Sequence, residues 1–110
     1  MGMSQKIKDW YDNLPVEEKA KVTDIFEEMA LEEHFEIVNR EKIRLEVQIK
    51  ITHPRVQKYL KRKKINVDDG DRIAHLAPKH QKTIEGIEQT LVNRLHAKAV
   101  SRYFRERMTE

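Results

Sequence analysis

The sequence predicts a small, mainly α-helical domain that spans residues 1–110 as a single unit. Its 110 residues are the length of one ordinary domain. Apolar residues recur at spacings of three and four along two long stretches, which is the period of a helix. The three prolines, Pro15, Pro54 and Pro78, stand where helices tolerate proline, in a first turn. Together these observations favour helices that begin near residues 15, 54 and 78.

The first long helix is predicted near residues 15–39. Glu17 and Glu18 follow Pro15, and the helix dipole favours acidic residues in a first turn. The stripe expected to face the core consists of Val22, Ile25, Phe26, Met29 and Ala30. A shorter helix is expected before Pro15, with Ser4 as its N-terminal cap.

Residues 43–51 alternate between apolar and polar side chains, which favours a β-strand. The chain offers no second strand of equal quality, so this possible single strand is expected to pair with its own copy across a dimer. The alternative is an all-α fold in which 15–52 is one continuous helix. It stays open because the polar residues here are good helix formers and neither Gly nor Pro interrupts the stretch.

The C-terminal half predicts a short basic helix near 54–64 and the longest helix near 78–108. Asp68, Asp69 and Gly70 indicate a turn between them. The last helix has a long apolar stripe, formed by Ile84, Ile87, Leu91, Leu95 and Ala99. Gly86 lies inside this helix, where glycine costs about 1 kcal/mol relative to alanine.

Charge divides the chain into an acidic N-terminal half, 1–52, and a basic C-terminal half, 53–110. The first holds 8 basic and 12 acidic residues, a net charge of −4, and the second holds 14 basic and 7 acidic, a net charge of +7. This asymmetry predicts either a nucleic-acid-binding C-terminal half or two halves that pair with each other, within one chain or across a dimer.

Several classes of function lack their characteristic residues. The chain has no cysteine, which excludes disulfides and thiolate chemistry and suits a reducing, cytoplasmic location. Its five histidines fit no metal-binding spacing, and its three glycines form no phosphate-binding loop. The longest apolar run is three residues, too short for a membrane span. We therefore expect no catalytic residues, no metal, no cofactor and no membrane partner.

Two basic stretches are the candidate binding residues. Six cations lie within His53–Lys64, and in the last helix cations repeat every four residues. Such density can neutralise several phosphates at once. The predicted nucleic-acid contacts are Arg55, Lys58, Lys61, Arg62, Lys63, Lys64, Arg94, Lys98 and Arg102. Alternatively, these cations are solvated or dock on the acidic residues Glu27, Glu28, Glu32 and Glu36.

Residues 43–64, a strand followed by a basic helix, resemble the ribbon-helix-helix family of DNA-binding repressors. In that family, polar side chains of strands paired between two chains enter the major groove. The resemblance implies that Arg44, Glu46, Gln48 and Lys50 would read bases. The chain departs from the family in its preceding acidic helix and in the thirteen or so residues between its last two helices.

The sequence thus favours a small, non-enzymatic, homo-oligomeric nucleic-acid-binding or regulatory protein that uses its basic half. The alternative is a protein–protein interaction module or assembly subunit whose acidic and basic faces bind each other or a partner protein. A nucleic-acid-binding protein should keep its basic surface accessible, whereas an assembly subunit should cover it.

Overall fold

The computed structural model describes residues 3–109, so both ends of the predicted 1–110 domain lie outside the described residues. The described part holds four α-helices and one two-stranded antiparallel sheet. In chain order these are α1 (Gln5–Asp12), α2 (Val16–Glu32), β1 (Phe35–Arg40), β2 (Leu45–Ile49), α3 (Pro54–Arg62) and α4 (Pro78–Met108). The mainly helical class is confirmed, with 64% helix.

Helix α4 forms the long axis of the molecule. Its 31 residues span about 46 Å at 1.5 Å per residue, and the molecule is 49 Å long. Pro78 is at the first helical position, as predicted, and the predicted bounds 78–108 are confirmed. Its buried side chains are Ile84, Leu95, Ala99, Val100 and Tyr103.

Helix α2 packs on α4 but is shorter than predicted. It buries Val22, Phe26 and Ala30, which lie on the predicted stripe. The expected extent to residue 39 is wrong, because the helix ends at Glu32. His34 then takes the left-handed conformation, with φ of 61°, and turns the chain back. Histidine is among the non-glycine residues that more often adopt this conformation, so a turn forms here without Gly or Pro.

The chain after this turn forms a β-hairpin. Strands β1 and β2 pair in antiparallel register, with Phe35 opposite Ile49 and Ile37 opposite Val47. The strand predicted at 43–51 exists as the shorter β2, but its partner is β1 of the same chain, so the predicted pairing across a dimer is wrong. The continuous helix 15–52 is wrong as well. Tertiary packing of Phe35 and Ile49 into the core overrides the helix propensity of this stretch.

An irregularity at Val38 orients the end of β1. The register shifts between Ile37 and Asn39, which leaves Val38 without a paired partner. Arg40, opposite Leu45, consequently shares the inner face of the hairpin with Ile37, although the two are three residues apart. Its guanidinium donates to Asp24 at 2.5 Å and to Glu27 at 2.9 Å.

The hairpin tip adds a further ion pair to α2. Lys42 Nζ lies 2.5 Å from Glu17 Oε1. With the contacts of Arg40, this pair places the tip of the hairpin along the acidic side of α2. Part of that acidic side is therefore neutralised within the chain, by residues of the same N-terminal half.

The hairpin does not form the reading ribbon that the ribbon-helix-helix resemblance implies. In that family the ribbon joins two chains, whereas here both strands belong to one chain. The implied readers Arg44, Glu46, Gln48 and Lys50 are exposed, and Arg44 donates to Glu46 at 2.8 Å. The expectation of a two-chain ribbon is therefore wrong.

The remaining contacts fix the hairpin and α1 on α4. The backbone N–H of Ile49 donates to Glu88 of α4 at 2.8 Å. Ser4 caps α1, as predicted, by accepting from the N–H of Ile7 at 3.3 Å. Trp10 of α1 meets Phe104 of α4 edge to face, with ring centroids 5.0 Å apart. The core thus lies between α4 on one side and α2 with the hairpin on the other.

Candidate nucleic-acid interface

The basic helix α3 begins at a histidine cap. His53 Nδ1 accepts a hydrogen bond from the backbone N–H of Arg55 at 3.0 Å, and Pro54 occupies the first turn. One side of the helix buries Val56, Tyr59 and Leu60. The basic side chains consequently lie on the other side of the helix and at its C-terminal end, where cations interact favourably with the dipole.

Helix α3 lies against α4 in the opposite direction. Near its C-terminal end, the Tyr59 hydroxyl is 2.8 Å from Nδ1 of His80, in the first turn of α4. Near its N-terminal end, Arg55 lines the same cavity as Arg94 and Lys98, which lie several turns further along α4. This antiparallel arrangement brings together the two basic stretches, which are about 40 residues apart in the sequence.

Two adjoining cavities that share Arg55 form a groove along α4, the first between α3 and α4 and the second between α4, the start of α3 and the turn from α2 to β1. We call it the α3/α4 groove. The first cavity has a volume of about 470 Å³ and no acidic side chain among its described lining residues, which are Arg55, Lys58, Tyr59, Arg62, Thr83, Gly86, Ile87 and Thr90. The second has a volume of about 510 Å³, and its cationic residues are Arg55, Arg94 and Lys98. Five of the predicted binding residues therefore line one groove.

The far end of the groove is more mixed in charge. Glu32 and Glu33, at the end of α2, line the second cavity together with His34 and His53. The two imidazole rings are 6.2 Å apart. Burial, and then the nearby His34, lower the pKa of His53. The neutral ring is the form that accepts the hydrogen bond capping α3.

The five cations of the groove are not held by acidic partners. None of them forms an ion pair within residues 3–109. Among the described residues, none of these five cations therefore forms the expected alternative ion pair with Glu27, Glu28, Glu32 or Glu36. Instead the carboxylates of α2 pair with Arg40 and Lys42 of the hairpin and with Arg107 of α4.

One groove cation is oriented by an aromatic ring. The guanidinium carbon of Arg62 lies 5.8 Å from the centroid of Tyr59, within the range of a cation–π contact. The Tyr59 ring is itself 6% exposed and held by His80. The charge of Arg62 is thus positioned on the groove wall without being neutralised.

The other predicted binding residues lie outside this groove. Lys61 is exposed on α3, and Lys63 and Lys64 follow its end, where Lys64 adopts a left-handed φ of 57°. Arg102, one turn beyond Lys98 on α4, is 3.2 Å from Glu106. These four residues add positive charge around the groove but do not line it.

The groove also contains residues that the sequence did not assign to a binding site. Its floor is formed by Thr83, Gly86, Ile87, Thr90 and Leu91 of α4. The hydroxyls of Thr83 and Thr90 donate to backbone carbonyls four residues earlier, both at 3.1 Å. The one available signal was Gly86, a costly residue inside a helix that no packing requirement explains, since a Cβ there would meet no atom within 4 Å.

Within the described chain, no group of three or more potential ligand side chains is placed to hold a metal ion. None of the described helices is both long enough and apolar enough to cross a membrane. Comparisons with models of known protein families, with curated proteins and with solved structures find no match to this chain.

Proposed function

We propose that this chain is a small, non-enzymatic protein that binds nucleic acid, in a structural or regulatory role, through the phosphates it contacts in the α3/α4 groove. The observation that carries the proposal is the convergence of five unpaired cations on one groove. Of the acidic residues expected to cover these cations, Glu27 instead pairs with Arg40 of the hairpin, and Asp24 and Glu17 of α2 also pair with hairpin residues.

Phosphate contact is the chemistry that suits these residues. Arginine and lysine release counterions from the nucleic-acid backbone when they bind it, which gives affinity without sequence preference. The groove offers no Asn or Gln, which read adenine edges, among its described lining residues, so its arginines would be left to read guanine alone. The proposal is therefore one of backbone recognition.

The proposal is tested by titrating duplex DNA into the protein over a series of salt concentrations. Replacing both Lys58 and Arg62 with alanine should weaken binding to all sequences alike. The log–log slope against salt should flatten by about 1.8, since each phosphate contact contributes about 0.9 on duplex DNA. A control with Lys6 and Lys21 replaced removes the same charge from exposed sites on α1 and α2 and should change the slope much less. Absence of any binding to DNA or RNA at roughly 50 mM salt would refute the proposal.

The second candidate is a protein–protein interaction module or assembly subunit, which includes self-association into a homo-oligomer. It is favoured by three large apolar side chains that are exposed between residues 31 and 43, namely Leu31 at 56%, Val38 at 58% and Ile43 at 43%. Light scattering at tens of micromolar protein tests it. On this candidate, the Lys58 and Arg62 replacements would change the oligomer mass or the binding of a partner protein.

A further inference from the structure

The α3/α4 groove is straight over most of its length. Its floor lies on α4, and the structure records α4 as one uninterrupted helix from Pro78 to Met108. From Thr83 at one end to Lys98 at the other, the groove runs for about 22 Å, at 1.5 Å per residue. Arg102 extends the row of cations by one further turn of the same helix.

Cations lie along this floor from Arg62 to Lys98, and Glu32 and Glu33 stand beside them only in the second cavity. Arg62, Lys58 and Arg55 follow one another along α3, and Arg94 and Lys98 continue the row on α4. Because α3 and α4 are antiparallel, this is also the order in which a linear ligand would meet them. The row is therefore a track for a polyanion, with its charges spread along a line.

The shape of the track discriminates between forms of nucleic acid. A strand of duplex DNA winds once around its axis in about 34–36 Å. Over about 22 Å such a strand turns through more than half a circle and leaves a straight track. In addition, a duplex is a convex cylinder, whereas this groove is concave between α4 and the elements packed on it, α3 and the turn from α2 to β1. A single strand is narrow and flexible enough to lie along the groove.

The floor suits sugars and bases but provides no stacking platform. Gly86 leaves open space, and Ile87 and Leu91 present partly buried apolar surface. Of the rings beside the groove, Tyr59, Phe35 and His53 are 6%, 2% and 9% exposed, too covered to stack on a base, whereas His34 is exposed at the far end. Affinity must then come mainly from the phosphates and be sensitive to salt.

We infer that the ligand of the α3/α4 groove is a single-stranded nucleic acid, bound through its backbone and without sequence preference. This inference rests on the proposed function and specifies its substrate class. The groove cations contact about five successive phosphates, and duplex DNA reaches only part of the track.

The test compares a fluorescein-labelled single strand of about 12 nucleotides, within the usual range of single-strand sites, with the duplex of the same sequence. Fluorescence anisotropy titrations over a range of salt concentrations give the affinity and the number of phosphates contacted. The expected slope for the single strand is about −3.5, from 0.7 for each of five contacts. The duplex should bind at least about tenfold more weakly. Its salt slope, divided by about 0.9 for each phosphate on duplex DNA, should correspond to fewer than five phosphate contacts.

Two groove variants and one control locate the binding. Arg55→Ala with Arg94→Ala should flatten the single-strand slope by about 1.4. Lys58→Ala with Lys98→Ala should flatten the slope by the same amount. With two independent variants, the test still works if one of them fails to fold. The control, Lys6→Ala with Lys21→Ala, carries the same loss of charge on exposed residues outside the groove and should nearly retain the wild-type slope.

The outcomes separate the two proposals. If duplex and single strand bind equally, with equal numbers of contacts, and both groove variants weaken both, the single-strand inference is overturned and the proposed function stands. If wild-type protein binds neither form at roughly 50 mM salt, or if groove and control variants behave alike, both are overturned.

Discussion

The carboxylate of Glu88 joins α4 to the hairpin, and its removal should destabilise the fold by about 2 kcal/mol. Glu88 Oε2 accepts from the backbone N–H of Ile49 at 2.8 Å. The next residue, Lys50, donates its N–H to His34 at the β1 side, so the N–H of Ile49 points to the outer edge of β2. Ile49 is 2% exposed, and a buried donor left without an acceptor costs about 1–3 kcal/mol.

Urea denaturation followed by circular dichroism measures this effect. Glu88→Ala should lower the midpoint by about 1 M, given slopes of about 1–3 kcal/mol per molar urea. Glu88→Gln retains an acceptor oxygen but not the negative charge, so it should lower the free energy of unfolding by about half as much as Glu88→Ala. Glu85, on the same helix, is exposed, and its side chain has no hydrogen bond or ion pair among the described residues, so Glu85→Ala should stay within about 0.5 kcal/mol of wild type. Equal midpoints for the two alanine variants would refute the reasoning.

Three further predictions concern the hairpin, the groove floor and pH. Arg40→Ala should lower the free energy of unfolding by about 1 kcal/mol, because two partly exposed ion pairs are lost. Lys42→Ala should change the free energy of unfolding by less than about 0.5 kcal/mol. Equal losses for the two variants in urea titrations would contradict this prediction. Gly86→Ala should raise the free energy of unfolding by about 0.5–1 kcal/mol, since alanine is the better helix former and its Cβ meets no atom; a lower thermal midpoint would show that the space is not open. Burial lowers the pKa of His96, so as the pH drops the imidazole is protonated in the unfolded chain before it is protonated in the folded one, and the free energy of unfolding should fall below about pH 6.5. His96→Phe should weaken this pH dependence of stability between about pH 7.5 and 5. An unchanged pH dependence would exclude His96 as its source.

The helices of the C-terminal half could be predicted closely from local signals. Pro54 and Pro78 stand in the first turns of α3 and α4, and the apolar stripe of α4 continues without interruption. Those signals are properties of neighbouring residues, so they need no knowledge of the rest of the fold. For the same reason the cap at Ser4 was predicted correctly.

The end of α2 could not be predicted, because nothing local marks it. Glu33 and His34 end the helix without Gly or Pro. The two apolar residues that follow on the inner face, Phe35 and Ile37, fit a strand only because Ile49 and Val47 lie opposite them. Because local patterns do not reveal that partner, the sequence alone predicts pairing of 43–51 across a dimer.

The candidate site was predicted in composition but not in arrangement. The sequence identified Arg55, Lys58, Arg62, Arg94 and Lys98 from local charge density alone. It could not show that α3 folds back along α4, since that depends on contacts such as Tyr59 with His80. The floor was missed because Ile87 and Leu91 belong to the same apolar stripe as the core residues, and periodicity does not separate a groove floor from a core.

The irregularity at Val38 keeps the end of β1 facing α2 while one extra residue is accommodated in the strand. The side chain of Val38 is 58% exposed, so many residue types can replace it at little cost. Deleting Val38 would place Arg40 two residues after Ile37, and regular alternation would still put it on the inner face. Asp24 and Glu27 would therefore keep their common partner. At this position the protein can consequently vary in length as well as in residue type, because the face that Arg40 occupies is set by its register opposite Leu45 and not by its distance along the chain from Ile37.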